Sequence, residues 1–392
     1  MSLAERSMLS CPRLALGFCC LLLFGACQAG RPLVAQQITH TSVTKPEVIW
    51  SGFAFRGRFA DIGKRYPVTK GINVVDADSV GFLDKNFREF FKANQKEFRY
   101  IDFKLGQGDL DEGKTQMLAL VMTEEQVLTE QLGKVHKCVV QLGFELLLLD
   151  YKGGAPSVVC SQPVFIEYRD AGRAPFSPAR VSAIVRKMIV GNDCQLAGVL
   201  KEKCARLRVL GKGQGTIKVR KVVVGDKAKP FLPAAFKAGD LYAQFIAQQF
   251  SALMAGKAGV EMLPYLKDYA NTKMSLAFVN GDAVQFQIPE ATYGVDLDLR
   301  GFKKVPGKRT RAEQLLVYGA FLDARVYEPE FNIEFFNAAE KHAVQKIMPT
   351  SQLRVDEFPV VSEAFKGVCL KVIENIQKDA KTQKNVIKKC KL

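Results

Sequence analysis

Apolar residues recur at two different spacings along this chain, and the change from one to the other marks out its elements. Val48 to Phe55 is a nearly continuous apolar run, and Phe98, Tyr100, Ile101, Phe103 and Leu105 approach the two-residue period of a strand. Val135 to Tyr151 and Ser157 to Tyr168 read as a long hairpin turning at Gly153-Gly154. Helical spacing takes over at Val80, Phe82, Leu83, Phe87, Phe90 and Phe91, which predicts an amphipathic helix over residues 80–93. Pro178 to Val190 is helical in pattern, Gly191-Asn192 interrupts it, and Cys194 to Leu210 resumes it before the glycine-rich stretch Gly211 to Gly215.

Beyond that stretch the order begins again. Thr216 to Val224 predicts a strand, Asp240 to Met254 a helix with Asp240 at its amino-terminal cap, and Val260 to Tyr265 another strand. Thr272-Lys273-Met274 echoes Thr115-Gln116-Met117. Each leads through an apolar strand to an acidic turn, at Gly281-Asp282 and at Glu124-Glu125 respectively. Long antiparallel strands follow, Tyr293 to Phe302 with Leu315 to Tyr327, and a helix over Val360 to Gln377 closes the chain, its lysine-rich tail from Lys378 reading as a frayed end. The pattern predicts an α/β (α+β) protein of two tandem similar domains, 46–210 and 211–392. Each is a mixed, largely antiparallel sheet packed with helices, the second a duplication of the first.

The amino end adds a different signal. Arg6 and Arg13 precede the apolar run Leu14 to Phe24, and small residues follow to Ala29, the order of a secretory signal peptide over residues 1–29. The run is about 11 residues, where a membrane-spanning helix needs about 20, so cleavage is expected rather than permanent anchoring. Two processing routes stay open. Phe24-Gly25-Ala26-Cys27 resembles the lipobox of bacterial lipoproteins, with Cys27 as the lipidated residue, while Cys27-Gln28-Ala29 suits an ordinary signal peptidase before Gly30.

Composition narrows the partners. The chain has 392 residues, 48% of them hydrophobic, and 27 Phe, ample for packed cores. Its formal charge of +16 falls by one when residues 1–29 leave with two Arg and one Glu, and that balance favours anionic partners: phospholipid headgroups, an anionic wall polymer or an acidic protein face. No arginine-rich helix or RNP-like aromatic strand points to nucleic acid. Neither a cofactor nor a metal cluster is called for, since no CxxC occurs. The cysteines beyond the signal segment, Cys138, Cys160, Cys194, Cys204, Cys369 and Cys390, are even in number, and sequential disulfides are the first expectation in an oxidising compartment. A continuous helix from Cys194 to Cys204 would hold that pair about 15 Å apart, so their bridge needs a break near Gly198.

One motif competes with a noncatalytic reading. Gly108 to Thr115 matches the phosphate-loop pattern through Gly108, Gly113, Lys114 and Thr115, with Asp150 ending a strand of the kind that binds magnesium. Asp109, Asp111 and Glu112 inside that loop would repel phosphate oxygens, and a polar turn between strands is the simpler account. An NTPase, or an exported hydrolase with a scattered site, stays as the alternative. His40, His136 and His342 stand far apart in sequence, outside any catalytic frame, and no catalytic residues are assigned. Asp296 and Asp298 share one strand face, where solvation accounts for them. The densest charge is Arg300, Lys303, Lys304, Lys308, Arg309 and Arg311, without an acid among them, expected in the loop between two strands as an anion-binding feature or a solvated edge.

The order strand, helix, strand, antiparallel strands, helix, behind a signal peptide, resembles the envelope domains of the curli-secretion lipoprotein, of the penicillin-binding-protein activator lipoproteins and of the amino-terminal part of TolB. The resemblance is one of architecture and carries no residue over. It implies a noncatalytic scaffold of the periplasm or outer membrane in a Gram-negative envelope, docking on an envelope protein, a wall polymer or a secretion or motor assembly. The membrane is met only through a lipid anchor, and a homo-oligomer is left open.

Overall fold

A computed structural model describes residues 45–105, 116–132, 134–152, 155–209, 214–237, 240–266, 273–351 and 357–391. The signal segment with Cys27, the turn at Gly153-Gly154 and the phosphate-loop residues Gly108, Gly113, Lys114 and Thr115 lie outside them. The strands are β1 (Glu47–Arg56), β2 (Asp102–Lys104), β3 (Gln116–Leu132), β4 (Val135–Lys152), β5 (Ala155–Gly172), β6 (Ile217–Lys227), β7 (Met262–Leu263), β8 (Lys273–Ala277), β9 (Ala283–Gln287), β10 (Tyr293–Arg309), β11 (Glu313–Glu328) and β12 (Ile333–Pro349). The helices are α1 (Phe59–Arg65), α2 (Pro67–Ile72), α3 (Phe82–Ala93), α4 (Pro178–Ile189), α5 (Gln195–Arg206), α6 (Ala234–Lys237), α7 (Leu241–Ala258) and α8 (Phe358–Lys378).

The expected α/β class with a mixed, largely antiparallel sheet packed with helices is what the structure shows. Parallel pairing joins β1 to both β2 and β3, and β6 to both β7 and β10, and antiparallel ladders then run β3-β4-β5 and β10-β11-β12. The two halves therefore follow one pairing order, yet all strands belong to a single 12-stranded sheet. Met262 of β7 pairs with Ser161 of β5 on one side and Ile217 of β6 on the other, so the halves are joined by strand pairing across the glycine-rich stretch.

Several sequence expectations change here. Glu124-Glu125 is no turn but lies within the 17-residue β3, paired with Gly143 and Leu142 of β4 just after a register shift at Thr123. The topological counterpart of β3 is β10, so the echo at Lys273-Met274 belongs instead to an added hairpin, β8–β9. That hairpin crosses to the first half: Leu276 and Ala277 pair with Arg56 and Phe55, and Gln287 reaches Ser157 of β5. Strands β5-β4-β3-β1-β8-β9 thus form a ring. Its interior is filled from all six by Val158, Leu147, Leu149, Ala119, Val121, Ala54, Met274, Leu276 and Phe286. The opposite faces of β1, β3, β4 and β5 pack under α3, α4 and α5 in a core rich in Phe, with Phe98 and Phe103 stacked at 4.5 Å. The strand expected over Phe98 to Leu105 is only β2, because a 3-10 turn at Gln95–Glu97 precedes it.

Helix α7 is apolar nearly all round, the pattern of a helix with no solvent face. It is wedged between the first-half sheet and β6, where Phe245 meets Phe165 edge-on at 5.5 Å and Gln248 donates to the Thr123 hydroxyl. Gly143 of β4 permits that approach, since a Cβ there would stand 2.4 Å from the Gln248 amide nitrogen. Asp240 occupies the cap position as expected, but its side chain accepts no capping hydrogen bond. The lysine-rich tail is docked, not frayed: Val386, Ile387 and Cys390 are buried, the Asp379 carboxylate accepts from Thr382 N–H at 2.7 Å, and Tyr293 O–H donates to Asn385 C=O at 2.6 Å. Burying three such side chains is worth about 1.5–3 kcal/mol each, which fixes the end of the chain.

Glu261 ties these pieces together. Fully buried beside β7, its carboxylate accepts from Ser161 N–H at 2.8 Å and from the Gln162 amide at 3.3 Å. Its own N–H donates to Cys390 C=O at 2.9 Å and its carbonyl accepts from Ile217 N–H at 3.1 Å. Burial pushes its carboxyl up from 4.5 to about 7. On raising the pH from about 4.5 the unfolded chain gives up this proton before the native state does. Glu261 therefore lowers stability progressively up to about pH 7, by about 3 kcal/mol in total, and no further above it. In urea titrations from pH 4.5 to 8, Glu261→Gln is expected to remove that part of the slope; parallel curves for the two proteins would contradict it. A second test is Gly367→Ala in α8, where the added Cβ would fall 2.2 Å from the His342 ring on β12. A helix-interior Gly→Ala change ordinarily stabilises by about 1 kcal/mol. Here the exposed His342 ring must turn aside, so that gain is expected to be largely cancelled and to return in the His342→Ala background, both read from urea midpoints.

Candidate functional site

The basic residues expected in a loop sit instead on β10 and its tight turn into β11. In that turn Thr310 N–H donates to Glu313 C=O at 2.7 Å and Glu313 N–H donates to the Thr310 hydroxyl at 2.9 Å. Three of the basic residues pair in register with β11, Lys303 with Gly319, Lys304 with Tyr318 and Arg309 with Gln314, while Arg300 and Lys308 fall at register shifts and Arg311 lies in the turn. The partner on the other side, β6, ends opposite Gly301, so β10 beyond that point is a free edge. Pro306, which has no N–H to offer a further strand, and the lysines on either side block that edge from pairing.

The pleat sorts the six side chains. Lys304 faces the helical layer, where its ammonium meets the Glu357 carboxylate at 2.6 Å just before α8. Arg300 sits at a bulge and is held by Asp323 at 2.9 Å. Lys303, Lys308, Arg309 and Arg311 are exposed and make no ion pair among the described residues. Of the six, then, four are available to a partner.

The sheet face that carries Lys303 is the one α7 and α8 leave uncovered. Those helices pack on Leu316, Tyr318, Ala320, Leu322, Ala324 and Val326 of β11, and the alternate residues Leu315, Val317 and Phe321 look outward. Val305, opposite Val317, is 42% exposed, and Ile347 of β12, opposite Leu315, is 66% exposed. Exposed aliphatic side chains thus share this face with Lys303, and Lys308, Arg309 and Arg311 follow at the bulge and turn that end β10, Arg309 opposite Gln314. Sequence reading found the cations but missed Val305 and Ile347. The signal for Ile347 lay in the apolar positions between Ile333 and Met348, whose mixture with Glu, Lys and His hid a long edge strand.

The other singled-out residues have structural places. Asp150 pairs with Gln116 in the β3–β4 ladder and is buried there. Among the described residues no group of three or more His, Cys, Asp and Glu is placed to hold a metal ion. The buried carboxylates serve the fold. Glu125 accepts from Val68 and Thr69 N–H at the start of α2, both at 2.8 Å, and Glu145 lies near Arg56, its carboxyl raised by burial. Asp296 accepts from Tyr327 O–H at 3.3 Å and is likewise raised by partial burial.

The sequential disulfides are overturned. All six cysteines are free thiols. Cys138 lies opposite Asp170 and Cys160 opposite Leu148, so ten positions of β4, about 33 Å at strand rise, separate that pair. Cys194 caps α5 and Cys204 lies within it, and the helix passes Gly198 without a break. Cys369 and Cys390 are each enclosed in the second-half core, where burial pushes both thiols up.

No protein-family model and no curated protein matches the chain. Among solved structures, a Helicobacter pylori protein described as a neuraminyllactose-binding hemagglutinin homolog is similar at 12% identity. It covers 46% of this chain and 94% of its own, with a TM-score of 0.28. A minor lipoprotein from Acinetobacter baumannii is similar at 10% identity, covering 44% and 93%, with a TM-score of 0.21. A DUF330-type protein from Xanthomonas campestris is similar at 9% identity, covering 44% and 87%, with a TM-score of 0.22. At TM-scores this low the neighbours carry no functional argument. None of the described helices is long and apolar enough to cross a membrane.

Thiol titration checks the cysteine geometry. Native protein is expected to react with Ellman's reagent only at the half-buried Cys194, and the six thiols downstream of residue 29 are all expected to react in denaturant without reductant. Fewer than six under the latter condition would reinstate a disulfide.

Proposed function

We propose that this is an exported, noncatalytic envelope protein that docks on an anionic partner through the uncovered face of its second-half sheet. The observation that carries the reading is that exposed Val305 and Ile347 share the uncovered face with Lys303, while the exposed Lys308, Arg309 and Arg311 follow at the end of β10 and in its turn. A strand edge kept soluble by charge alone gains nothing from exposed aliphatics beside its lysines. A docking face uses both, the charge to attract and orient an anionic surface and the aliphatics to add contact area. Arg300 and Lys304 brace the strand through Asp323 and Glu357 and so hold the free cations in position.

Export and a Gram-negative envelope location are supported by the signal-type amino end. Lipidation at Cys27 would add a tether, and the anionic partner is a headgroup surface, a wall polymer or an acidic protein face. Neither a nucleotide nor a cofactor is needed for this role.

The test uses the mature protein and isolated Gram-negative envelope fragments at rising salt. Retention is expected to fall steeply as ionic strength rises past 0.15 M, where the screening length is about 8 Å. The variant Lys303→Glu/Lys308→Glu/Arg309→Glu should retain at least tenfold less at low salt, with an unchanged circular dichroism spectrum. Salt-independent retention, or an unaffected variant, would sink the reading.

A further inference from the structure

A cleft of about 700 Å³ opens between the two halves, walled by β5, α5, α7 and α8. Its floor is apolar, from Pro163, Phe165, Val199 and Leu253. Three polar side chains from three different helices also line it: Lys203 of α5, 6% exposed, Gln249 of α7, 7% exposed, and Ser362 of α8, 4% exposed. The Gln249 side-chain oxygen and the Ser362 hydroxyl have no hydrogen-bond partner in the structure. Each such orphan costs about 1–3 kcal/mol when left unmet.

Lys203 is harder to account for structurally. It falls on the stripe Leu196, Leu200, Lys203, Cys204 that α5 turns toward the core, a position an aliphatic residue would fill at no desolvation cost. Burial lowers its affinity for a proton, against the opposing pull of Glu202 and Glu261; Glu202 stands exposed on α5, and Glu261 is hydrogen-bonded by Ser161 and Gln162. Glu167 of β5, which also lines the cleft, is already taken by Arg169 at 2.5 Å and by Gln141 at 2.5 Å. Glu363 and Lys366 stand exposed at the rim. The cleft thus offers an ammonium, a hydrogen-bond acceptor and a hydroxyl above an apolar floor, at a volume within the range that holds small ligands.

We propose that this cleft binds a small organic acid carrying an amide or hydroxyl group, its carboxylate on Lys203, its polar group on Gln249 and Ser362, and its apolar part on Phe165, Val199 and Leu253. The site is independent of the docking face, which lies on the other side of the second-half sheet.

The test is ligand-observed NMR on the mature protein with a panel of several hundred small carboxylic acids and their matched primary amides. Acids are expected to outnumber amides clearly among the ligands, and the best of them to bind Lys203→Met at least tenfold more weakly. Methionine removes the buried charge while keeping a similar unbranched volume, and circular dichroism checks the fold of this variant. Gln249→Leu and Ser362→Ala, each checked by circular dichroism, should weaken the same acids while leaving simple apolar acids unchanged. Equal binding of acids and amides, equal binding to Lys203→Met, or no bound acid at all overturns the proposal.

Discussion

The two halves of this chain are held in one sheet by a two-residue strand, and the buried carboxylate beside it secures that strand to its surroundings. Glu261 accepts from the backbone of β5, and its own peptide groups bond β6 and the last residues of the chain. A residue whose side chain and backbone together join three segments is wholly enclosed, and that burial raises its carboxyl to about 7. Replacing it with an apolar residue would leave Ser161 N–H without a partner at the centre of the molecule.

Much of the remaining architecture follows from that junction. With β5 and β6 held side by side through β7, α7 is enclosed between the halves and must be apolar on nearly every side. The β8–β9 hairpin is brought within reach of β1 and closes the first-half sheet into a ring. Among the described residues the second half has no such added hairpin over its own sheet. Its helices cover one face only, and the other face, with its basic edge, is left to solvent or to a partner.

Helices with a clean 3.6-residue period and apolar strand runs were legible in the sequence, as the agreement over α3, α4, α8 and β1 shows, and α7 was legible as an apolar run behind Asp240. What was not legible depended on contacts distant in sequence. Glu124-Glu125 looked like a turn because two acids rarely lie inside a strand, and only the capping of α2 by Glu125 explains why one does. The tail looked frayed because its lysines mask Val386, Ile387 and Cys390, spaced to pack on a core the sequence does not display. The even number of cysteines suggested bridges, whereas register alone keeps Cys138 from Cys160. For the candidate site, the cations were visible as a cluster, but the division into braced and free members required the pleat of β10.

A noncatalytic docking role draws its support from the uncovered face and its unpaired cations, and the cleft over Lys203 gives the same molecule a place to take up a small acid. The account's central claim concerns which surface meets the envelope. Hydrogen–deuterium exchange of the mature protein, free and bound to envelope fragments, tests it most directly. Added protection confined to residues 301–317 and 341–348 is the predicted result. Protection centred instead on the far end of the sheet around Phe331, with 301–317 unchanged, would contradict it.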